Sequence, residues 1–164
     1  MPTWKIRPIT QSDRTEVIDI FNHYIRNGFA AFPDRPVAYP FFDTLMDLCR
    51  GYPSVAARDE NGILQGFAML RPHSMMPVFS RTAEISCFIA PGMTGKGLGS
   101  LLVTHLLQEG RERGIATVLA GISSRNDGSI RFHKRLGFVK CGRFRDIGEK
   151  NGLLFDVVWM QKIV

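Results

Sequence analysis

Three glycines at alternate positions, Gly95-Lys96-Gly97-Leu98-Gly99, follow a short apolar run and precede a long stripe of leucines. Without a Cβ, such a turn lets the backbone come close to a ligand. A helix opening from it presents unpaired N–H groups and a partial positive charge, the chemistry of a phosphate site. Lys96 adds a full charge there. No Gly-Lys-Ser/Thr closes the turn as in a Walker A loop, and its G-x-G-x-G spacing differs from the G-x-G-x-x-G of a dinucleotide fold. On pattern alone, a purely structural turn stays open as a reading. Other residues of chemical type lie on both sides: Arg71 and Glu84 before the turn, Asn126, Ser129 and His133 after it. Taken singly, these read as an ion pair, a helix cap and a surface or structural histidine. Cys49, Cys87 and Cys141 are odd in number and widely spaced, which suggests neither a disulfide framework nor a zinc site.

The elements that position these residues follow from pattern. Trp4 to Arg7 reads as a strand. Thr10, three residues before Asp13, opens a helix carrying Val17, Ile18, Phe21, Tyr24 and Ile25 on one stripe. The segment from Gly28 to Pro40 holds three prolines with Phe29, Phe32 and Tyr39, and should be an irregular loop of the kind that lines sites. Phe41 to Cys49 reads as a second helix. Strands are expected at Ser54–Arg58 and Leu64–Leu70, joined by a hairpin turn at Asn61-Gly62, and a loop at Arg71–Arg81. Thr82 to Ile89 is a strand in which Glu84, Ser86 and Phe88 face one way and Ile85, Cys87 and Ile89 the other. The glycine turn then opens a helix through Arg113, stopped by Gly114. A strand at Thr117–Ile122, a helix at Asp127–Arg135 and strands at Val139–Phe144 and Leu154–Met160 complete an α/β (α+β) chain with helices on a mixed sheet.

With 164 residues the chain fits one domain, 1–164, with a sizeable core. Its 45% hydrophobic and 22% charged composition is that of a globular protein in water. No apolar run approaches the ~20 residues of a membrane span, and the first residues lack a secretory signal, so a cytoplasmic protein is expected. The net charge of +6 suits an anionic partner, either nucleic acid or a phosphorylated cofactor. Because the basic residues are dispersed and no aromatic-basic motif is present, nucleic acid is not expected.

The combination of strand, glycine turn, Asn126, Ser129, His133 and Leu136-Gly137-Phe138 resembles the GNAT N-acetyltransferase superfamily over nearly the whole chain. Ile6-Arg7-Pro8, Asn22-His23, Phe32, Glu84-Ile85-Ser86, Ala120-Gly121-Ile122 and Asp156 resemble its phosphinothricin and methionine-sulfoximine branch. The resemblance implies a GNAT fold, a central sheet of about seven strands splayed between the fourth and fifth, with helices on both faces. It implies acetyl-CoA as co-substrate and no metal. The pantetheine would lie in the splay against Phe88, Ile89 and Ala90. The diphosphate would rest on Gly95, Lys96, Gly97, Leu98 and Gly99, with Asn126, Ser129 and His133 alongside. Glu84 is implied as the base that takes the proton of the attacking amine and His133 as the acid for the leaving thiolate, in a direct ternary-complex transfer. A backbone N–H near Phe88 or Ile89 would stabilise the oxyanion. For the acceptor, a small-molecule primary amine such as an amino acid or its analogue, the resemblance implies Phe29, Phe32, Arg71, Met76 and Glu84. One departure from the branch, Thr94 in the turn, implies weaker cofactor binding. Others, Met75-Met76 near where an arginine is usual, Phe88 where a tyrosine is usual and Ile85 near a usual histidine, imply either a less polar acceptor or Arg71 or Arg81 taking over the anion contact. Relatives are commonly homodimers. Acetylation of a protein or peptide N-terminus and a non-catalytic acetyl-CoA-binding module are the alternatives.

Overall fold

The computed structural model describes residues 2–164; Met1, the first residue of the expected domain, lies outside them. Seven strands form one sheet in the order β1-β2-β3-β4-β5-β7-β6. They are β1 (Lys5–Pro8), β2 (Ser54–Arg58), β3 (Leu64–Pro72), β4 (Thr82–Ile89), β5 (Thr117–Ser123), β6 (Val139–Lys150) and β7 (Leu153–Ile163). Four helices complete it: α1 (Arg14–Arg26), α2 (Phe41–Leu48), α3 (Leu98–Glu112) and α4 (Asp127–Arg135). The fold class and element order are those expected from the sequence.

Period-two alternation divides the core between the two faces of the sheet. Val55, Ala57, Ala68, Leu70, Ala83, Ile85, Val118, Ala120 and Ile122 turn to one face, where Leu98, Leu102 and Leu106 of α3 cover them. Ala56, Phe67 and Met69 turn to the other, under Val17, Ile18, Phe21 and Ile25 of α1 and Phe42 of α2. The leucine stripe of α3 is therefore a packing face, and the turn that opens the helix is left beyond the C-terminal end of β4.

The feature that matters for function is the join between β4 and β5. These strands run parallel and pair only at Thr82↔Thr117, Ala83↔Val118 and Glu84↔Leu119. Beyond Glu84, β4 stays paired with β3 as far as Ile89↔Gly66, and β5 stays paired with β7 as far as Ser123↔Val157. Each strand thus keeps its outer partner and loses its inner one. The sheet opens as a wedge, leaving two unpaired backbone edges facing each other. This is the splay between the fourth and fifth strands.

Several boundaries differ from the sequence reading for physical reasons. Arg71 is the penultimate residue of β3 rather than part of a loop, because it pairs across the sheet with Glu84. The first turn after Thr10 is a 3-10 turn at Gln11–Asp13, in which the Asp13 carboxylate accepts from the Thr10 amide at 2.8 Å and also binds Arg7 and Arg58. In the β2–β3 turn only Gly62 has positive φ, at 77°, and the Asp59 carboxylate organises the loop by accepting from the Asn61 and Ile63 amides. That turn is therefore not the two-residue type expected from Asn-Gly. At the β6–β7 turn, Asn151 and Gly152 do both take positive φ, 54° and 74°. Strand β6 continues past Phe144 to Lys150 because pairing resumes at Gly148↔Phe155 after an irregularity that contains Asp146 at φ 50°. The consecutive charges Arg145 and Asp146 after Phe144 hide that continuation from a pattern reading.

Candidate active site

The glycine turn sits at the mouth of the splay. Gly95 and Gly97 have φ of 75° and 89°, conformations that cost a side-chain-bearing residue ~1–2 kcal/mol. A Cβ at either would meet no protein atom within 4 Å. Gly97 is the N-cap of α3 and no side chain caps the helix, so its first amides keep their hydrogen-bonding capacity for a ligand. A cavity of about 480 Å³ opens in front of the turn, lined by Phe88, Ile89, Thr94, Gly95, Gly97, Gly99, Asn126 and Ser129 among others. Of the predicted phosphate residues, Leu98 is 1% exposed with its side chain in the core, so only its amide is available. The exposed Lys96 ammonium lies 3.8 Å from the sulfur of Met93.

Inside the splay, a narrow cleft of about 80 Å³ runs between Ile85–Phe88 of β4 and Ala120–Ser123 of β5, with Asn126, Ser129 and His133 along it. Which backbone groups face it follows from alternation. The Ala90 amide donates to Gln65 of β3, and the Phe88 carbonyl oxygen lies 3.2 Å from where a Gly66 Cβ would stand. Phe88 and Ala90 therefore spend their backbone groups on β3, and those of Ile85, Cys87 and Ile89 turn into the gap. Phe88 contributes instead through its ring, packed on Phe21, Tyr24 and Phe67. Tyr24, read from sequence only as core, donates its hydroxyl to the Ile89 carbonyl and lines the larger cavity. Burial pushes the Cys87 thiol up to about 12, so it stays protonated beside the gap.

Glu84 is the last β4 residue paired to β5, at the apex of the wedge. Its side chain is 16% exposed, and both carboxylate oxygens are engaged. Oε1 accepts from Arg71 Nη2 at 3.0 Å, and Oε2 lies 3.0 Å from His73 Nδ1. The other Arg71 nitrogen, Nη1, donates to Ser86 Oγ at 2.9 Å. The ion pair suggested by Glu84 taken singly is present, and it joins the implied base to Arg71 of the implied acceptor set. His73 was not foreseen, because within the Arg71–Arg81 loop only Arg71 and Met76 were singled out and no local pattern ties His73 to Glu84.

His133 lies in the last turn of α4, 7% exposed, between the rings of Phe132 and Phe138. Its Nδ1 is 2.8 Å from the Ser129 carbonyl, which can only accept, so Nδ1 carries the proton and Nε2 holds a lone pair. Burial holds its pKa below the ordinary imidazole value, opposed by that hydrogen bond. The resting side chain is thus a neutral proton acceptor at pH 7. To serve as an acid it must first take up a proton. Asn126 caps α4, its Oδ1 accepting from the Ser129 amide at 3.2 Å, while also lining both cavities.

A third cavity of about 200 Å³ lies on the face of the sheet that α1 and α2 cover, walled by Phe21, Phe32, Leu45, Phe67, Met69 and Phe88. Its polar groups include Arg71 and Ser86. Ala30 and Phe88 line all three cavities and mark where they meet. Of the predicted acceptor residues, Phe32 and Arg71 are here. Phe29 packs edge-on against Phe155 with the Arg125 guanidinium above it. Met76, 61% exposed, lines a separate outer groove with Met75. Among the described residues, no group of three His, Cys, Asp or Glu is placed to hold a metal, and no helix is long and apolar enough to cross a membrane.

Comparison with known proteins bears on this arrangement. The model of the acetyltransferase (GNAT) family matches residues 17–138. The chain is 35% identical to the phosphinothricin N-acetyltransferase of Streptomyces viridochromogenes, over 96% of this chain and 86% of that one. It is 33% identical to the L-methionine sulfoximine/L-methionine sulfone acetyltransferase of Salmonella typhimurium, over 95% and 92%. It superimposes on the structure of a Salmonella typhimurium acetyltransferase with its cofactor acetyl-CoA at a TM-score of 0.91 and 31% identity, covering 98% of this chain and 94% of the other.

Proposed function

Since the chain belongs to the acetyltransferase (GNAT) family, an acetyl-CoA-dependent class of N-acetyltransferases, we propose that it acetylates the primary amine of an amino acid or amino-acid analogue by direct attack in a ternary complex. The observation that carries this reading is the junction at Ala30 and Phe88, where the cavity at the glycine turn, the cleft in the splay and the small apolar cavity at Arg71 meet. A donor and an acceptor bound in the outer two would meet in the splay, where His133 lines the cleft and Arg71 of the acceptor cavity holds Glu84.

The residues fit acetyl-CoA. The amides of the Gly95–Gly99 turn would hold the diphosphate, and the gap-facing groups of Cys87 and Ile89 the pantetheine. Acetyl-CoA supplies the activated acyl group as a thioester. The chain's own work is positioning and proton transfer. An ammonium with a pKa near 10 needs about 4 kcal/mol to lose its proton at pH 7, so a base is useful. Glu84, directly or through water, takes that proton, with Arg71 and His73 fixing its two oxygens. Of the gap-facing amides, that of Cys87 lies nearer Glu84 along β4 and would donate to the oxyanion, leaving the Ile89 amide to the pantetheine. His133 accepts the second proton of the nitrogen at Nε2 and then hands it to the departing thiolate. The acid role expected from sequence thus becomes the second half of a shuttle.

The acceptor side favours a small molecule. A cavity of about 200 Å³ closed by Phe32 has room for one amino-acid side chain, and Arg71 suits a carboxylate. The whole chain acts as a single domain on this reading. The three cysteines are free, which suits a reducing cytoplasm. The exposed Phe144, Ile147, Leu153 and Leu154 of the β6–β7 hairpin give an apolar surface for a homodimer. An acetyl-CoA turnover screen against methionine sulfoximine, methionine sulfone, other amino acids and short peptides tests the proposal. Free-CoA release with amino acids supports it; release with peptides alone favours N-terminal acetylation of proteins, and none with any amine reduces the site to a binding module.

A further inference from the structure

The loop that forms the wall between the donor and acceptor cavities is fastened by a residue far away in sequence. Lys150, at the end of β6, is 3% exposed. Its ammonium donates to the carbonyls of Gly28 at 2.8 Å and Ala31 at 2.9 Å, spanning the backbone on either side of Ala30. Ala30 lines all three cavities, so the two bonds fix the segment at their junction. The same hairpin supplies a second hold. The Phe155 ring lies 5.7 Å from Phe32 in a stacked arrangement and 5.6 Å from Phe29 edge-on. That ring lies across Gly148, its cross-strand partner, where a Cβ would come within 2.1 Å of it, so only glycine leaves the platform flat.

A buried ammonium bonded to neutral carbonyls is costly, since desolvation outweighs what two such bonds return. Asp34 acts on it only through its field, and the described ion pairs include none at Lys150. The loop it holds has no strand or helix of its own between Arg26 and Phe41, and its side-chain hydrogen bonds to α1, the two-way bond between the Asn22 amide and the Val37 backbone and the one from the Tyr39 hydroxyl to Asp19, lie toward its far end. The Lys150 ammonium also lies 6.0 Å from the centre of the Phe29 ring. Without Lys150, the stretch carrying Phe29 to Phe32 would keep side-chain packing: Ala31 in the core, Phe29 and Phe32 against Phe155, and the Arg125 guanidinium over Phe29.

We propose that Lys150 is a positioning residue for the acceptor: it clamps the Gly28–Ala31 backbone to the β6–β7 hairpin, and so sets the shape of the amine pocket that Phe32 closes. This rests on the acceptor occupying the cavity at Arg71 and Phe32, as proposed above. The clamp itself can be read without turnover. In Lys150→Met, the NMR backbone order parameters of Ala30, Ala31 and Phe32 should fall from about 0.85, the rigid range, to below about 0.6, since two hydrogen bonds from a charged donor to this backbone are lost. With the best amino-acid acceptor of the screen, its KM should rise about tenfold, while the Kd of acetyl-CoA, held chiefly at the glycine turn, stays within about threefold. Phe155→Leu loosens the same loop from its other side and should show the same split if the lysine variant does not fold. Unchanged order parameters in both variants overturn the clamp. Equal losses in acceptor KM and acetyl-CoA Kd also overturn it, by showing a general structural role. If wild-type protein acetylates no amine while the order-parameter result holds, the acceptor assignment fails and the clamp stands.

Discussion

Replacing Gly97 by alanine separates the cost of a strained turn from the cost of a blocked amide. Gly92 and Gly97 have nearly equal φ, 81° and 89°, and at both positions a Cβ meets no protein atom within 4 Å. Either alanine should therefore pay the same left-handed strain, about 1–2 kcal/mol. In a chain of this length that is roughly 2–8 °C in Tm. Only Gly97 lines the 480 Å³ cavity and caps α3. Its new methyl would stand where the diphosphate approaches the helix amides, removing one charge-assisted hydrogen bond worth about 1.5–3 kcal/mol. By calorimetric titration, the Kd of acetyl-CoA should weaken roughly 10- to 100-fold in Gly97→Ala and by less than about twofold in Gly92→Ala, with matched losses of Tm. Equal affinities in the two variants would refute the cradle, since strain alone would then explain both.

Three further outcomes are expected. Glu84→Gln should lower kcat by about 100-fold or more while leaving the Kd of acetyl-CoA unchanged; full turnover in the variant excludes Glu84 as the base. The imidazole of His133 should titrate below its ordinary value of about 6.5 by NMR, as the Nδ1–H tautomer. Because the unfolded state then binds the proton more readily, stability should fall as pH drops below about 6.5, and this slope should be missing from His133→Gln. Asp13, fully buried, would be pushed up by burial, but Arg7, the Thr10 amide and Arg58 outweigh that and hold its carboxyl below the ordinary range. Its contribution is present at neutral pH and lost as pH falls through that lowered value, so Asp13→Asn should cost about 2–4 kcal/mol in urea melts at pH 7, a gap that closes only in strong acid.

How much could be read from the sequence depended on whether local pattern or distant contact set each feature. Strands Ser54–Arg58 and Thr82–Ile89 and helix Asp127–Arg135 match their expected bounds because alternation, turn residues and a capping asparagine all lie within a few positions. The splay after Glu84 is different in kind: no residue of β4 announces which of its edges is unpaired, and only the resemblance to a known family implied it. Long-range partners were the hardest. Arg71 read as a loop residue because its reason for being in β3 is Glu84, thirteen positions on. Tyr24 kept the helical spacing of a core residue while sending its hydroxyl to Ile89. Lys150 drew no reading from the sequence, because nothing near it in the chain points to Gly28 and Ala31. The tautomer of His133 depends on where the Ser129 carbonyl points, which is a matter of backbone geometry rather than of composition.

The central claim is that this sheet is wedged open to take a thioester cofactor along an unpaired strand edge. A crystal structure of the chain grown with acetyl-CoA tests it most directly. The pantetheine arm should lie between β4 and β5 beyond the Glu84↔Leu119 pair, bonded to the backbone of Cys87 and Ile89, with the diphosphate on the amides that follow Gly95. A β4–β5 ladder continuous to Ile89, or a cofactor bound away from the glycine turn, would contradict it.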